Sequence, residues 1–343
     1  MDTYMEYILE QTKNLLAIDS PSGYTQNVTE YLMREYERLG YEPVLTKKGG
    51  VLVDLGGEGD GILVTAHADT LGAMTAEIKE NGRLRITPVG GLNPHNIETE
   101  NCRVYTYEGK VYTGTVQLSN ASIHVNREYD TTARSFDTLE VVLDEPVFCR
   151  KEVQDLGIMT GNYVCMEPRT VVTDAGYVKS RFLDDKLSTA ILLGYAKSLK
   201  EENRTPARRI YEHITVFEEV GHGGSGSVPE DVTDILSVDM GCVGEGLSCT
   251  EHQVSICVKD SRGPYHYQIV SELIRAAKKA GLDFAADIYP SYGSDADAAL
   301  AAGHDLRHGL IGPGVYASHG YERSHVDGIR NTFLLLKAFL GEK

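Results

Sequence analysis

Several short blocks of this 343-residue chain place acids and histidines where an apolar run ends, which is where an open α/β sheet collects its ligands. The first is Thr65-Ala66-His67-Ala68-Asp69-Thr70, directly after Ile62-Leu63-Val64. His67 and Asp69, two apart on an extended backbone, point the same way, so the carboxylate can orient the imidazole or both can face one cavity. The second is Phe182-Leu183-Asp184-Asp185-Lys186, where a strand passes into a helix; adjacent aspartates there also suit simple capping of the helix dipole. The third, Val216-Phe217-Glu218-Glu219-Val220-Gly221, ends the apolar strand that runs through Ile214-Thr215. Alternation would send one glutamate into the packed layer, a cost that a bound cation would remove. The fourth is Ser237-Val238-Asp239-Met240-Gly241, again an acid closing a strand. Near the C-terminus, Ser318-His319-Gly320-Tyr321-Glu322-Arg323-Ser324-His325 adds two histidines.

Each block alone has an ordinary structural explanation. Together, two histidines and three or four carboxylates on strand ends match a pair of divalent ions about 3.5–4 Å apart that share one carboxylate. Nitrogen and oxygen donors without thiolate suit zinc, cobalt or manganese. One further glutamate beside them could deprotonate a water, which is general-base work. A competing pattern is Gly221-His222-Gly223-Gly224-Ser225-Gly226, a G-x-G-x-x-G turn after a strand, with Asp239 beyond it. Glu218 and Glu219 would crowd a pyrophosphate with negative charge, and Pro229 falls where a phosphate-binding helix should continue. The glycines suit a close backbone approach to the metal site better.

The elements that must position these residues are legible in outline. Helical spacing joins Met5, Ile8, Leu9, Leu15 and Leu16, and then Val28, Tyr31, Leu32, Tyr36 and Leu39. Strands are predicted over 42–46, 50–55 and 61–66, then over 84–89, 104–107, 110–116 and 139–143. They resume over 209–217, 234–240 and 254–258, with helices over 184–200, 265–280 and 327–339. The fold class is therefore α/β, with residues 76–170 reading as an inserted β-rich domain. The catalytic α/β domain is then discontinuous, 1–75 and 171–343.

Composition narrows the setting. Thirty-three basic against 50 acidic residues give a net charge of −17, which disfavours nucleic acid and anionic membrane as partners. No secretory leader and no membrane span is visible, and the six cysteines contain no C-x-x-C pair. A cytoplasmic protein with free thiols is expected.

The blocks resemble one family over nearly the whole chain. Ser20-Pro21-Ser22-Gly23, His67-Ala68-Asp69-Thr70-Leu71-Gly72-Ala73-Met74, Leu183-Asp184-Asp185-Lys186, Glu218-Glu219-Val220-Gly221, Val238-Asp239-Met240-Gly241 and Gly293-Ser294-Asp295-Ala296 follow in the order found in cocatalytic dinuclear-metal aminopeptidases. These are the glutamyl and deblocking aminopeptidases, some labelled endoglucanases, whose members assemble into tetrahedral dodecamers. The resemblance implies a mixed central sheet flanked by helices, of zinc-peptidase type, with the insertion serving assembly and substrate access. It implies two divalent ions per subunit, zinc or cobalt first and manganese next. His67 and Asp239 would hold one, Glu219 and His319 the other, and Asp184 both. Glu218 would be the general base and acid, and Asp69 would orient His67. The implied reaction removes N-terminal residues from short peptides, in a homododecamer.

The chain departs from the family where His-Ser-Pro is common ahead of the last helix. His319 fits the distance to that helix, and His325 is the alternative ligand. Where Leu-Arg-Gly is common after the glutamates, this chain has His222-Gly223-Gly224, so His222 either meets substrate or packs. Competing functions are hydrolysis of another amide, such as an acylated amino acid, and nucleotide-cofactor oxidoreduction on the glycine turn. A non-enzymatic binding or assembly role is a further alternative, which the complete set of candidate ligands argues against.

Overall fold

The computed structural model describes residues 3–341. In chain order the elements begin with α1 (Thr3–Leu16), α2 (Gln26–Arg38), β1 (Val44–Leu45), β2 (Val51–Gly56) and β3 (Gly61–His67). There follow β4 (Gly72–Ile78), β5 (Leu84–Val89), β6 (Asn101–Tyr105), β7 (Val111–Leu118), β8 (Leu139–Leu143), α3 (Arg150–Asp155) and β9 (Tyr163–Met166). Next come β10 (Val171–Val172), β11 (Tyr177–Ser180), α4 (Leu183–Glu201), β12 (Ile210–Thr215), β13 (Val232–Val238), β14 (Gly241–Val243) and β15 (Val254–Lys259). The chain ends with α5 (Tyr267–Ala280), β16 (Phe284–Ile288), α6 (Asp295–Ala301), β17 (Arg307–Tyr316), β18 (Glu322–His325) and α7 (Val326–Leu340).

Two compact units result: the chain up to Thr70 with the chain from Arg169, and Leu71–Pro168. The smaller unit is a closed antiparallel barrel in the order β4-β5-β8-β7-β6-β9, so its strands have no free edge. The larger unit is a mixed twelve-stranded sheet, β1-β2-β12-β3-β13-β17-β18-β11-β10 along its main path. Its centre is parallel: β12 pairs β3, β3 pairs β13 and β13 pairs β17, all parallel. Every residue of β3 and of β12 is buried, as strands covered on both faces must be. α4 packs on this centre and is buried nearly all round, its polar residues included. A Cβ on its Gly194 would lie 2.5 Å from Ile8 Cγ1, so glycine there lets α1 approach closely.

The structure corrects several strand limits. The run over 42–46 pairs only at Val44–Leu45, and the run over 209–217 stops at Thr215, where Phe217 and the two glutamates leave the sheet. β4, β9, β14, β16, β17, β18, α3 and α6 have no counterpart among the predicted elements. β17, Arg-His-Gly-Leu-Ile-Gly-Pro-Gly-Val-Tyr, hides a long central strand behind three glycines and a proline. No helix among the described residues is long and apolar enough to cross a membrane.

Candidate active site

Three neighbouring parallel strands deliver the site. His67 is the last residue of β3, Asp239 follows β13 directly, and Glu218 and Glu219 follow β12. Because the strands are parallel and adjacent, their carboxyl ends lie side by side. Asp184 comes from the start of α4 and His319 from the loop between β17 and β18.

The glutamate pair does not work by strand alternation, as its sequence suggested. Glu218–Val220 form a 3-10 turn closed by Gly221 in the left-handed region, which frees both side chains from the sheet's two faces. Both carboxylates reach the histidines: His67 Nε2 is 3.7 Å from Glu218 Oε2, and His319 Nε2 is 3.7 Å from Glu219 Oε2. Asp184 and Asp185 are not caps. Neither has helical backbone angles, and no side chain caps α4. Asp184 Oδ1 instead lies 3.2 Å from His67 Nε2, and its Oδ2 lies 3.5 Å from His319 Nε2. Asp239 Oδ2 is 4.0 Å from His67 Nε2. The set thus divides into two triplets, His67-Asp184-Asp239 and Asp184-Glu219-His319, each with one donor atom per residue and all three within 4.8 Å of one another.

Surrounding groups hold these side chains in place. His67 Nδ1 faces the main-chain carbonyl of Asp69 at 2.9 Å, with the Asp69 carboxylate at 3.5 Å, so the backbone oxygen is the nearer partner. The Asp69 carboxylate accepts from Ser22 Oγ at 2.5 Å and from the Glu218 amide at 3.2 Å, tying it to the Glu218–Val220 turn. Ser20 Oγ donates to the Ala68 carbonyl, so the Ser20-Pro21-Ser22 block braces this loop. Asp185 turns away from the pair of histidines and accepts from the His67 amide at 3.2 Å; its other oxygen has no partner.

Two residues that the sequence left without a role complete the frame. Glu322, on β18, accepts from the Asp184 amide at 3.1 Å and from the His319 amide at 2.9 Å. His319 has φ +61°, a conformation that non-glycine residues seldom adopt unless held. The signal for Glu322 was its place three residues after His319. Asp295, in the Gly293-Ser294-Asp295-Ala296 block, accepts from Thr215 Oγ1 and from the Gly224 amide, both at 2.5 Å. That contact explains the glycine turn. A Cβ on Gly223 or Gly224 would lie 2.3 Å from an Asp295 oxygen. Gly223–Ser225 form only a 3-10 turn and no helix follows, so the nucleotide reading has no helix N-terminus to use. His222 is exposed, stacks on Phe217 at 5.0 Å and is not among the residues lining the cavity. His325 joins neither triplet.

Electrostatics describes a cluster short of positive charge. Burial, then neighbouring acids, raises Glu218 and Glu219 well above the usual carboxylate range despite His67. Burial, then Asp184, pushes Asp239 up to about 7, and burial pushes Asp295 up to about 6. Asp184 is the exception: burial opposes its ionisation, but His319 and His67 hold it below the usual range. Burial likewise works against a charged His67, yet Asp184 and Asp69 outweigh it and raise its pKa. Crowded buried acids of this kind need added cations or bound protons. An all-nitrogen-and-oxygen donor set in two triplets fits divalent cations of the zinc, cobalt and manganese kind.

The clustered acids and His319 line one wall of a cavity of about 850 Å³. Arg262, Tyr292, Asp297 and His308 stand among its other lining residues. The sequence profile of the M42 glutamyl aminopeptidases matches residues 49–335. The chain belongs to that family. It is accordingly an aminopeptidase, an exopeptidase of the hydrolase class. Among relatives, YhfE of Bacillus subtilis, whose aminopeptidase name is provisional, is 43% identical over 336 residues, 97% of either chain. An aminopeptidase of the archaeon Desulfurococcus kamchatkensis has the same fold at TM-score 0.87 and 19% identity, over 99% of this chain and 96% of that one. The TET1 peptidase of Pyrococcus horikoshii, which can assemble into a tetrahedron or a large octahedral shell, superposes at TM-score 0.86 and 21% identity, over 97% and 99%.

Proposed function

We propose that this aminopeptidase is metal-dependent, with one divalent ion held by His67 and Asp239, a second by Glu219 and His319, and Asp184 shared between them. The observation that carries this reading is the split of one carboxylate: Asp184 Oδ1 serves His67 while Oδ2 serves His319. Two such cations, zinc or cobalt in first place, supply Lewis acidity for the scissile carbonyl and acidify the attacking water.

The chain's own residues do the rest. Glu218, beside His67 but outside both triplets, accepts the proton from the attacking water and passes it to the leaving amine. Asp69 holds His67 and the Glu218 amide in one hydrogen-bonded unit, so base and ligand keep a fixed separation. Glu322 performs the same service for Asp184 and His319. The excess of carboxylates in the cleft attracts the ammonium of a peptide N-terminus, which restricts cleavage to the first residue. Short peptides fit the cavity volume. The dodecamer formed by one fold neighbour supports a closed particle of twelve chains here; the cytoplasm is its proposed setting, and the barrel unit would contribute to assembly and access.

The test is a pair of measurements on aminoacyl-anilide substrates and short peptides. Exhaustive chelation should abolish hydrolysis, and zinc or cobalt should restore it. Glu218→Gln should bind the same number of ions yet lose turnover by about 10²–10⁴-fold. Full activity after chelation, or in the glutamine variant, overturns the mechanism. Equal cleavage of N-acetylated substrates would favour the other-amide reading over the exopeptidase one. Light scattering that gives a monomer overturns the dodecamer.

A further inference from the structure

His325, left out of the catalytic set, belongs to a different group. β18 ends at His325 and α7 begins at Val326, so His325 caps the helix and Asp327 occupies its first turn. His252 reaches the same spot from the segment between β14 and β15. Asp327 Oδ2 lies 3.1 Å from His252 Nδ1 and 3.1 Å from His325 Nδ1. All three donor atoms are within 4.8 Å of one another, and the two imidazole centroids are 4.0 Å apart.

The His325 ring is fixed by its surroundings. Its Nε2 donates to the Ala175 carbonyl at 2.8 Å, which leaves Nδ1 as the lone-pair nitrogen of the neutral ring. Gly176, in the turn between β10 and β11, packs so tightly that a Cβ there would lie 2.7 Å from His325 Nε2. Tyr177 stands edge-on to the same ring, and its hydroxyl is 3.4 Å from His252 Nε2. The His252 carbonyl accepts from Asn331 of α7, so its backbone is anchored as well.

This arrangement leaves a charge conflict. The lone pair of His325 Nδ1 faces the Asp327 amide and also lies 3.1 Å from an anionic oxygen. His252 Nδ1 meets that same oxygen. Arg330 pairs with the other carboxylate oxygen, Oδ1, at 3.7 Å, which offsets part of the charge; the lone pair against Oδ2 stays repulsive unless something positive sits between them. We propose that His252, His325 and Asp327 form a second cation site, distinct from the catalytic cleft, that takes a divalent transition ion of the zinc class. Two imidazole nitrogens and one carboxylate oxygen are the donor set such ions prefer over magnesium or calcium. Ligand bonds of about 2.0–2.1 Å in a tetrahedron put donors about 3.3 Å apart, close to the separations found here. His252 and Asp327 are partly exposed, so water can fill the fourth position and the ion can enter. Loading redirects the Asp327 amide away from His325; as a first-turn donor it takes no part in the helix ladder, so α7 keeps its internal bonds.

The role is structural. One ion would clamp the start of α7, the turn between β10 and β11 and the segment around His252. β18 also carries Glu322, the residue that holds Asp184 and His319, so the clamp steadies the element behind the catalytic cluster.

The experiment counts zinc per chain by equilibrium dialysis and elemental analysis, for wild type and for His252→Ala, at equal free zinc. A difference of one equivalent is expected, whatever number the catalytic cleft holds. Crystals soaked in zinc should give an anomalous peak between His252, His325 and Asp327 in the wild type. Should His252→Ala fold poorly, Asp327→Asn keeps the shape of the side chain and is expected to lose the same equivalent. Equal zinc content in wild type and folded variants, with no anomalous peak, overturns the proposal and means that a proton resolves the conflict. Because the count is a difference, failure of the catalytic metal reading would not disturb it.

Discussion

Glu212 lies inside β12, fully buried, three residues ahead of the strand's end. Its Oε2 accepts from Tyr36 at 2.7 Å, and its Oε1 has no partner. Burial raises its pKa from 4.5 to about 8, and the single hydrogen bond only partly offsets this. Between those values the folded chain keeps a proton that the unfolded chain has released. Unfolding therefore becomes easier as pH rises through this window, by up to 3.5 units at 1.36 kcal/mol each, or about 5 kcal/mol at most. His213 beside it runs the other way: burial lowers its pKa to about 4, so its contribution is lost as pH falls from 6.5 toward 4. Comparing wild type with Glu212→Gln cancels the His213 contribution and isolates Glu212. Glutamine keeps an oxygen for Tyr36 and cannot ionise. The variant should match wild type within about 1 kcal/mol near pH 5 and exceed it by about 3–5 kcal/mol at pH 9. Urea unfolding at matched protein concentration, from pH 5 to pH 9, reads the gap. A gap that stays flat, or narrows with rising pH, would show that Glu212 is already ionised in the fold and the reasoning is wrong.

Other substitutions probe the frame of the site. Burial, then Asp184, pushes the Glu322 pKa up to about 8; Glu322→Gln keeps its shape but replaces one of the two accepting oxygens with a donor, so one bond from the Asp184 or His319 amide is lost and kcat should fall about 10-fold or more, and an unchanged kcat would remove its positioning role. Gly224→Ala forces a Cβ to within 2.3 Å of the Asp295 carbonyl oxygen and should destabilise the protein by about 1–3 kcal/mol, measured by thermal unfolding; a neutral effect would mean the turn has room to shift. Ser22→Ala removes one donor to the Asp69 carboxylate, and a shift in the pH profile of kcat/KM without a change in KM is expected; a profile identical to wild type would sink that link.

What could be read from the sequence depended on whether chemistry or packing wrote the signal. Acids and histidines after apolar runs stand out because an ionisable group at a strand end needs a reason, and the structure brings His67, Asp184, Glu218, Glu219, Asp239 and His319 together. The route differs from strand alternation at one point. Glu218 and Glu219 share the cleft because the strand ends at Thr215 and a 3-10 turn follows, which two consecutive glutamates do not announce. β17 was hidden because Gly309, Gly312 and Gly314 look like loop residues. Each is required by contact: a Cβ on Gly312 or Gly314 would lie 1.7 or 2.1 Å from a backbone oxygen, and one on Gly309 would lie 2.5 Å from Ile269 Cγ2.

The same distinction explains Glu322, Asp295 and Ser22. They act on backbone amides and on other side chains rather than on substrate, and such partners are set by loops brought together only in the fold. A histidine shows the reverse error. His319 and His325 are equivalent as letters six apart, and only their neighbours separate them. His319, held at φ +61° by Glu322, faces Asp184 and Glu219, whereas His325 is turned by Ala175 and Gly176 toward His252 and Asp327. The strand that follows His319 and ends in His325 is only four residues long, yet one ring faces the acidic cleft and the other the start of α7. Glu322, at the start of that strand, bonds the Asp184 and His319 amides, so the element that ends in His325 also carries the residue that orients the other histidine.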